Sequence, residues 1–263
     1  MAAYQQSRSL GLSLMTTRTA LITGVCGGIG TATARAFADA GWSVIGVDRS
    51  PPPDDLHLDR FEMVDVSSSE QIAELFDNLR SELTGLHALV NNAAMQVNKP
   101  IIETSDQDWE QIINTNVRSA FQCIRDSQPL LKSVGGAVVN VSSVHALATS
   151  VNVAVYAISK GALVALTRSA ALELAVDGIR CNAVLPGAID TKMLREGLDR
   201  RPNPDGADGN LRILAQRTPL GFVATADDIA PSILHLADNE QSKYTTGQML
   251  VLDGGATIRL STE

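Results

Sequence analysis

A glycine-rich turn near the start of the chain has the composition of a phosphate-binding loop. It reads TGVCGGIG over residues 23–30, between an apolar run and a segment of helical period. Glycines let the backbone approach a pyrophosphate, which then faces the amides and positive dipole of the following helix. A plain strand-to-helix turn has the same composition, but the GxxxGxG spacing in this context favours a dinucleotide site.

Asp48 stands at the end of the second predicted strand, 18 residues after Gly30. A carboxylate there accepts hydrogen bonds from ribose hydroxyls and repels a 2′-phosphate, so its pairing with the glycine turn favours NAD over NADP. Read alone, Asp48 would be a turn residue before three prolines. The adjacent Arg49 either faces solvent beside the adenine or turns toward a 2′-phosphate.

Tyr156 and Lys160 are spaced i, i+4 at the start of a predicted helix, which places phenol and ammonium on one face. A free tyrosine has a pKa near 10, too high for a base at neutral pH. A nearby cation favours the phenolate, which can exchange a proton with an alcohol or a carbonyl. The YxxxK pattern alone also occurs by chance in many helices.

The elements around these residues alternate between short apolar β-branched runs and longer helical segments, the pattern of βαβ units on a parallel sheet. Seven strands are predicted: Thr19–Thr23, Ser43–Val47, Phe61–Val64, Ala88–Asn91, Ala137–Val141, Arg180–Val184 and Met249–Leu252. Helices are expected to begin near Ile29, Ser69, Asp106, Val153 and Asp227. Capping boxes are predicted at Ser67 with Glu70, Ser105 with Asp108, and Thr225 with Asp228.

One long stretch, Ala188 to Phe222, is predicted to be irregular, with two prolines and two glycines in its middle. Loops of this size in a compact domain are lids or binding loops, or else disordered insertions, and we favour a substrate lid over residues 188–222. The stretch carries five acidic residues and six basic ones: Lys192, Arg195, Arg200, Arg201, Arg212 and Arg217. This balance gives no firm case for an anionic substrate, although any one arginine can bind a carboxylate.

With these motifs the chain resembles the short-chain dehydrogenases/reductases, over roughly residues 17–257. Further matches stand at the family's spacings: Asp65-Val66, NNAA at 91–94, Asn116, Ser143, Pro186-Gly187, Thr191 and DGG at 253–255. The resemblance implies a single Rossmann-like doubly wound α/β domain over residues 17–263, with a seven-stranded parallel sheet flanked by helices on both faces. Residues 1–16 are expected to be a flexible N-terminal extension.

The resemblance also implies an NAD(H)-dependent oxidoreductase that interconverts a secondary alcohol and a ketone by hydride transfer. Tyr156 would be the acid/base, and Lys160 would lower its pKa and bind the nicotinamide ribose. Ser143 would hydrogen-bond the reacting oxygen, and Asn116 would hold a water in a proton relay. Ser142 competes with Ser143, but the 13-residue offset before Tyr156 favours Ser143.

For the cofactor, the resemblance implies contacts along the ends of several strands. Asp65 would bond the adenine amino group, and Ile189 and Thr191 would meet the carboxamide. The family's NNAG reads NNAA here, so the extra methyl of Ala94 would tighten the packing of the backbone near the nicotinamide. The implied set is Gly24, Cys26, Gly28, Ile29, Gly30, Asp48, Arg49, Asp65, Val66, Asn92, Ala93, Ala94, Tyr156, Lys160, Pro186, Gly187, Ile189 and Thr191.

Substrate contacts are assigned by position relative to these motifs. They are Gln96, Ser143, His145, Asn152, Tyr156 and Met193. Most are polar, which favours a sugar, polyol or hydroxy acid over a steroid or long acyl chain, unless these side chains only face solvent at the rim.

Composition excludes several other classes of protein. The formal net charge of −8, without a basic run, disfavours nucleic acid and anionic membranes as partners, and no apolar stretch is long enough to span a bilayer. Three separated cysteines and four scattered histidines predict neither disulfides nor a metal site, and they fit a cytoplasmic protein. The alternatives are an NADP-dependent ketone or 3-oxoacyl reductase and a non-catalytic dinucleotide-binding regulator.

The expected assembly is a homotetramer or homodimer, as is common in this family. The helix that starts near Val153 would contribute to the interface. Its far side carries Ala162, Ala165, Leu166 and Ala170 as predicted buried contacts.

Overall fold

The structure, a computed structural model, describes residues 17–258, so the predicted N-terminal extension lies outside the described residues. Its centre is a parallel sheet of seven strands in the order β3-β2-β1-β4-β5-β6-β7. The strands are β1 Thr19–Thr23, β2 Ser43–Asp48, β3 Arg60–Met63, β4 Ala88–Asn91, β5 Ala137–Val141, β6 Arg180–Pro186 and β7 Met249–Leu252. All seven predicted strands are confirmed, with differences of one or two residues at the ends of β2, β3 and β6.

Helices connect the strands. They are α1 Gly28–Asp39, α2 Ser69–Glu82, α3 Asp106–Ile113, α4 Ser119–Lys132, α5 Ala154–Glu173, α6 Lys192–Leu198, α7 Gly206–Arg217, α8 Ala230–Ala237 and α9 Asn239–Ser242. A π-helical turn, Asn114–Arg118, joins α3 to α4. Short 3₁₀ turns cover Ile101–Glu103, Val144–Ala146, Ala175–Asp177 and Ala226–Asp228.

Both faces of the sheet are covered by helices, as expected for a doubly wound fold. Because successive side chains of a strand point to opposite faces, Leu21 packs under α2, α4 and α5, whereas Ala20 and Ile22 pack under α1 and α8. Phe76 of α2 and Phe37 of α1 are fully buried, one on each face. The apolar runs of the central strands are therefore buried on both sides.

Helix caps agree with the predictions at two of three places. Ser105–Asp108 and Thr225–Asp228 form capping boxes. The prediction for Ser67 and Glu70 is wrong, because the N-cap of α2 is Ser68, whose hydroxyl accepts a hydrogen bond from the Gln71 amide. The neighbouring serines are interchangeable by residue type, and only the backbone geometry distinguishes them.

The prediction of an irregular segment over residues 188–222 is wrong, because it contains α6 and α7. The turn between them is held by the buried amide of Asn210, whose Nδ2 donates to the carbonyls of Leu198 at 3.0 Å and Arg201 at 3.2 Å. Asn203 lies so close to Gly209 that a Cβ there would meet its Oδ1 at 2.3 Å. The absence of a side chain at Gly209 thus lets Asn203 pack directly against α7.

Candidate active site

The predicted site residues gather at the carboxyl edge of the sheet, around the ends of β1, β4, β5 and β6. Strand order reverses between β1 and β4, since β2 and β3 lie to one side and β5 to β7 to the other. Such a reversal opens a crevice at the carboxyl ends of the strands where ligands bind in α/β proteins.

The glycine turn runs from the end of β1 into α1. The N-cap residue of α1 is Gly27, and among the described residues no side chain caps this helix. Its first amides are therefore available to an anionic group, together with the positive end of the helix dipole. The donors present fit a pyrophosphate.

Two glycines of this turn occupy places where a side chain would collide with backbone. Gly24 has φ +64°, and a Cβ there would lie 2.7 Å from Cα of Ala93. At Gly30 a Cβ would lie 2.1 Å from the Gly24 carbonyl oxygen. Asn92 Nδ2 donates to the carbonyls of Thr23 at 3.0 Å and Gly24 at 2.9 Å, which fastens the end of β4 to the turn.

The Asp48 carboxylate faces the glycine turn. Its Oδ2 accepts a hydrogen bond from the amide of Cys26 at 3.0 Å, and its Oδ1 accepts one from the amide of Ser50 at 3.0 Å. Each oxygen keeps a second acceptor position for a hydroxyl donor. Arg49 is exposed, and the Cys26 thiol donates to the Ser50 carbonyl at 3.2 Å. Burial and the Asp48 charge raise the pKa of Cys26 to about 11, so the thiol stays protonated.

After β3, the loop before α2 is set by Asp65. Its Oδ1 accepts a hydrogen bond from the amide of Ser67 at 2.9 Å, and its own amide donates to Oε1 of Gln71 at 2.8 Å. The side chain of Val66 is buried in the core beneath α2. The loop conformation is thus fixed by the protein's own hydrogen bonds.

Tyr156 lies in the first turn of α5 with its side chain nearly buried. Burial raises the pKa of Tyr156 to about 12, and the hydroxyl of Ser143, the residue after the Ser142 that follows β5, opposes that shift. Ser142 is engaged elsewhere, since its hydroxyl donates to the Lys160 carbonyl at 2.8 Å. The structure therefore brings Ser143, not Ser142, to Tyr156.

Lys160 is fully buried on the same helix face. Its Nζ donates to the Val141 carbonyl at 2.8 Å and lies 5.5 Å from the centroid of the Tyr156 ring. Burial without a carboxylate partner lowers the pKa of Lys160 to about 7. An ammonium has three donors, so two remain for other acceptors.

Asn116 lies in the π-helical turn and is buried. Its Nδ2 donates to the Met95 carbonyl at 2.9 Å and to Oγ of Ser159 at 3.0 Å, and its Oδ1 accepts from the Met95 amide at 2.8 Å. Ser159 Oγ in turn donates to the Tyr156 carbonyl at 2.7 Å. Asn116 therefore ties the loop after β4 to the helix that carries Tyr156 and Lys160.

The segment after β6 returns to the glycine turn. A Cβ on Gly187 would lie 2.8 Å from Cβ of Asp253, so the glycine lets the two chain segments pack closely. The preceding residue, Pro186, pairs with Leu252 at the end of β7. Ile189 forms an isolated bridge with Ala224. Thr191 caps α6, and a Cβ on Gly28 would meet its Cγ2 at 2.8 Å.

The predicted substrate contacts differ in their surroundings. His145 packs edge-on against Tyr156, with ring centroids 5.6 Å apart, and its Nδ1 lies 2.9 Å from Oγ1 of Thr149. Asn152 is exposed in a left-handed turn at φ +65°, and its carbonyl accepts from the Lys99 amide at 2.9 Å. Its conformation accounts for an asparagine at that position without a substrate.

Two further predicted substrate contacts are Gln96, in the loop after β4, and Met193, in α6. Gln96 Nε2 donates to Oδ1 of Asn98 at 2.6 Å, and both side chains are half-buried. Met193 projects from the first turn of α6 with 38% of its surface exposed. The loop after β4 lies close to α6, because a Cβ on Gly197 would be 3.6 Å from Asn98 Nδ2.

Comparison with known proteins decides the family. A protein-family model described as enoyl-(acyl carrier protein) reductase matches residues 24–257. The chain is 35% identical over 241 residues to dehydrogenase/reductase SDR family member 6 of Xenopus laevis, covering 88% of this chain and 94% of that protein. The chain belongs to the short-chain dehydrogenase/reductase family.

Other members of the family match over similar lengths. The 2,3-dihydro-2,3-dihydroxybenzoate dehydrogenase of Escherichia coli K12 is 35% identical over 244 residues, covering 90% of this chain and 96% of the relative.

Three solved structures superimpose closely. The ligand-free aldohexose dehydrogenase AldT of Thermoplasma acidophilum has a TM-score of 0.88 at 29% identity, covering 93% of this chain and 96% of that one. A putative gluconate dehydrogenase of Agrobacterium tumefaciens has a TM-score of 0.82 at 32% identity, covering 92% of this chain and 97% of that one. ElxO with NADP bound has a TM-score of 0.82 at 29% identity, covering 92% of this chain and 100% of that one.

Some residues that hold the predicted site residues in place were not predicted from the sequence. Ser159 links Asn116 to the Tyr156 backbone, and Thr149 holds the His145 ring. Asn210 is a buried polar residue in a stretch predicted to lack structure. Only the helical period of 206–217 could have indicated a buried face there.

Within residues 17–258, no helix combines the length and apolar character that a bilayer span needs, and no cluster of histidine, cysteine, aspartate or glutamate has metal-ligand geometry.

Proposed function

We propose that the protein is an NAD(H)-dependent oxidoreductase that interconverts a secondary alcohol and a ketone on a polar hydroxylated substrate. The observation that carries this proposal is the convergence of Ser143, Tyr156 and Lys160 at the carboxyl end of β5. Membership of an oxidoreductase family supports it.

In the proposed oxidation, Tyr156 accepts the hydroxyl proton of the substrate and Ser143 stabilises the developing charge on its oxygen by a hydrogen bond. The pKa of Tyr156 near 12 requires a positive charge nearby before the phenolate forms at neutral pH. Lys160 provides one when protonated, with its ammonium 5.5 Å from the ring. Reduction follows the same path in reverse.

The residues present fit a nicotinamide dinucleotide. The uncapped start of α1 would hold the pyrophosphate, Asp48 the adenosine ribose and Lys160 the nicotinamide ribose. The bound cofactor supplies the hydride acceptor for an alcohol or the hydride donor for a ketone. In the same proposal, residues 188–222 act as the substrate lid. Their helix α6 starts beside Gly28 of the glycine turn and ends near Asn98 in the loop after β4.

The substrate class is supported by the polar side chain of His145 beside Tyr156 and by those of Gln96 and Asn98 in the loop after β4. Similar proteins include an aldohexose dehydrogenase, a putative gluconate dehydrogenase and a dehydrogenase of a dihydroxylated benzoate. A panel of sugars, polyols and hydroxy acids, assayed with NAD⁺ by the absorbance of the reduced cofactor, tests the proposal. Cofactor binding without turnover of any alcohol or ketone would favour the regulatory alternative.

Asp48→Asn is expected to weaken NAD⁺ binding by about tenfold or more, because a charged hydrogen-bond acceptor to the ribose hydroxyls is lost. NADP⁺ binding should improve, since the charge that opposes the 2′-phosphate is gone. Titration calorimetry with both cofactors measures the change, with Asp54→Asn, an exposed aspartate of the same loop, as control. Wild-type preference for NADP⁺ would instead favour the NADP-dependent reductase, an alternative that the NADP-bound ElxO structure supports.

We further propose that the chain forms a homotetramer, with a homodimer as the alternative. An apolar stripe on α5 and the turn after it is exposed: Ile158 by 47%, Leu172 by 81% and Val176 by 87%. Ala165 belongs to this exposed side, but the predictions for Leu166 and Ala170 are wrong, because both pack against the sheet core.

Leu172→Glu is expected to halve the particle mass or reduce it to that of one chain, because a carboxylate cannot be buried unpaired in an apolar interface. Light scattering coupled to gel filtration measures this mass. Met63→Glu, in the edge strand β3 and with 63% of the Met63 surface exposed, is the matched control and should leave the mass unchanged. A wild-type protein that elutes as one chain would contradict the proposal.

The proposed location is the cytoplasm. Cys26, Cys123 and Cys181 are free thiols, which fits a reducing compartment.

A further inference from the structure

The loop between β3 and α2 starts beside the proposed adenosine site. The amide of Val64 donates to the carbonyl of Asp48 at 2.9 Å, and the side chain of Asp48 is the proposed contact of the adenosine ribose. Asp65, the next residue of the loop, is predicted from the sequence to accept a hydrogen bond from the adenine amino group. The orientation of its carboxylate therefore bears on recognition of the base.

One oxygen of the Asp65 carboxylate is engaged and the other is available. Oδ1 accepts a hydrogen bond from the amide of Ser67 at 2.9 Å, whereas Oδ2 accepts none in the part of the chain that the structure describes. The side chain is half-buried. A carboxylate oxygen can accept two hydrogen bonds, so Oδ2 can accept one from an amino group of a ligand. Because Ser67 holds Oδ1, the position of Ser67 determines where Oδ2 lies.

Arg118 binds the same serine from outside the loop. Its Nη2 donates to the Ser67 carbonyl at 2.8 Å. The backbone of Arg118 belongs to the π-helical turn between α3 and α4, so the guanidinium is anchored to a continuous helical stretch. Hydrogen bonds from charged groups are stronger than those between neutral groups. Arg118 therefore holds in place the residue that orients the Asp65 carboxylate.

The π-helical turn also contacts the predicted catalytic helix. Two residues before Arg118, Nδ2 of Asn116 donates to Oγ of Ser159 at 3.0 Å, and Ser159 lies between Tyr156 and Lys160 on α5. One short turn thus contacts both the loop predicted to bind the adenine and the helix predicted to act on the substrate.

We infer that Arg118 is a positioning residue for the adenine base of the cofactor. It holds Ser67, and through Ser67 it holds the Asp65 carboxylate where Oδ2 accepts a hydrogen bond from the adenine amino group. This inference rests on the proposed binding of a nicotinamide dinucleotide. It requires that the protein discriminate between adenine and hypoxanthine, which carries an oxygen in place of the amino group.

Fluorescence titration with NADH and with deamino-NADH, which contains hypoxanthine, tests this inference. We expect the wild type to bind NADH about tenfold more tightly, because the oxygen of hypoxanthine cannot donate to the Asp65 carboxylate. Arg118→Met should weaken NADH binding by about three- to tenfold and leave deamino-NADH binding nearly unchanged. The preference for NADH would then fall to about threefold or less.

Arg125→Met is the matched control, since Arg125 is an exposed arginine of α4 whose partner is the neighbouring Asp126. It should keep the wild-type preference for NADH. Equal affinities of the wild type for the two dinucleotides would overturn the inference, and so would an unchanged preference in Arg118→Met. An equal loss of affinity for both dinucleotides in Arg118→Met would also overturn it, because a general structural effect does not depend on the amino group.

ADP-ribose separates this inference from the proposed reaction, because it contains the adenine but no nicotinamide. Its affinity, measured by titration calorimetry, should fall by about three- to tenfold in Arg118→Met and remain unchanged in Arg125→Met. This result in a protein that turns over no alcohol or ketone would support the inference alone. Turnover with NAD⁺ by a protein that binds NADH and deamino-NADH equally would overturn the inference and leave the oxidoreductase function intact.

Discussion

Replacement of Tyr156 by phenylalanine is expected to lower kcat by about 10²- to 10⁴-fold, the usual contribution of a positioned acid/base. The phenyl ring keeps the packing against His145 but cannot exchange a proton with the substrate oxygen. NADH binding, measured by fluorescence titration, should change little, because the proposed pyrophosphate and ribose contacts come from other residues.

Tyr244→Phe is the matched control, since Tyr244 is a fully exposed tyrosine on the same chain. It should retain full turnover. A Tyr156→Phe protein with activity close to wild type would contradict the assigned role, whereas a protein that also failed to bind NADH would point to a structural effect.

Lys160→Met is expected to remove turnover and yet to stabilise the ligand-free protein below neutral pH. In the folded protein the pKa of Lys160 is lowered from 10.5 to about 7 by burial. Below pH 7 the lysine is charged in both states and the folded state carries the full cost; above pH 10.5 it is neutral in both and the cost vanishes. The lysine therefore makes the free energy of unfolding of the wild type rise with pH between these values.

Methionine removes the buried charge at similar volume. Each pKa unit corresponds to about 1.4 kcal/mol, and the Val141 carbonyl left without its donor costs about 1–3 kcal/mol. We expect a net gain on the order of 2 kcal/mol at pH 6 that shrinks toward pH 9.5. Urea unfolding of wild type, Lys160→Met and the exposed control Lys243→Met across this range measures it. A stability difference independent of pH would contradict the assignment.

The parts of this structure that follow local patterns could be predicted from the sequence. The bounds of β1, β4, β5 and β7 agree because each is a short apolar run between helical segments. The approach of Lys160 to Tyr156 follows from their i, i+4 spacing on one helix.

Other features depend on tertiary contacts and could not be predicted in this way. Prolines at 202 and 204 suggested an irregular segment, whereas they occupy only the short connection between α6 and α7. The burial that changes the pKa of Tyr156 and Lys160 arises from packing of α5 on β6 and on the turn Val144–Ala146 that follows β5. The partner of Asn210 is a carbonyl, which no residue type reveals.

The π-helical turn around Asn116 rotates the side chains of α4 about the helix axis relative to those of α3. Each residue of an α-helix advances the side chains by about 100°, so a surplus residue at the junction lets α3 face α5 while α4 faces α2. Losing one residue from 114–118 would rotate every later position of α4 and bring a different set of side chains to the core. We therefore expect a one-residue deletion in this turn to disrupt the packing of α4 more than a substitution there, apart from one at the asparagine itself.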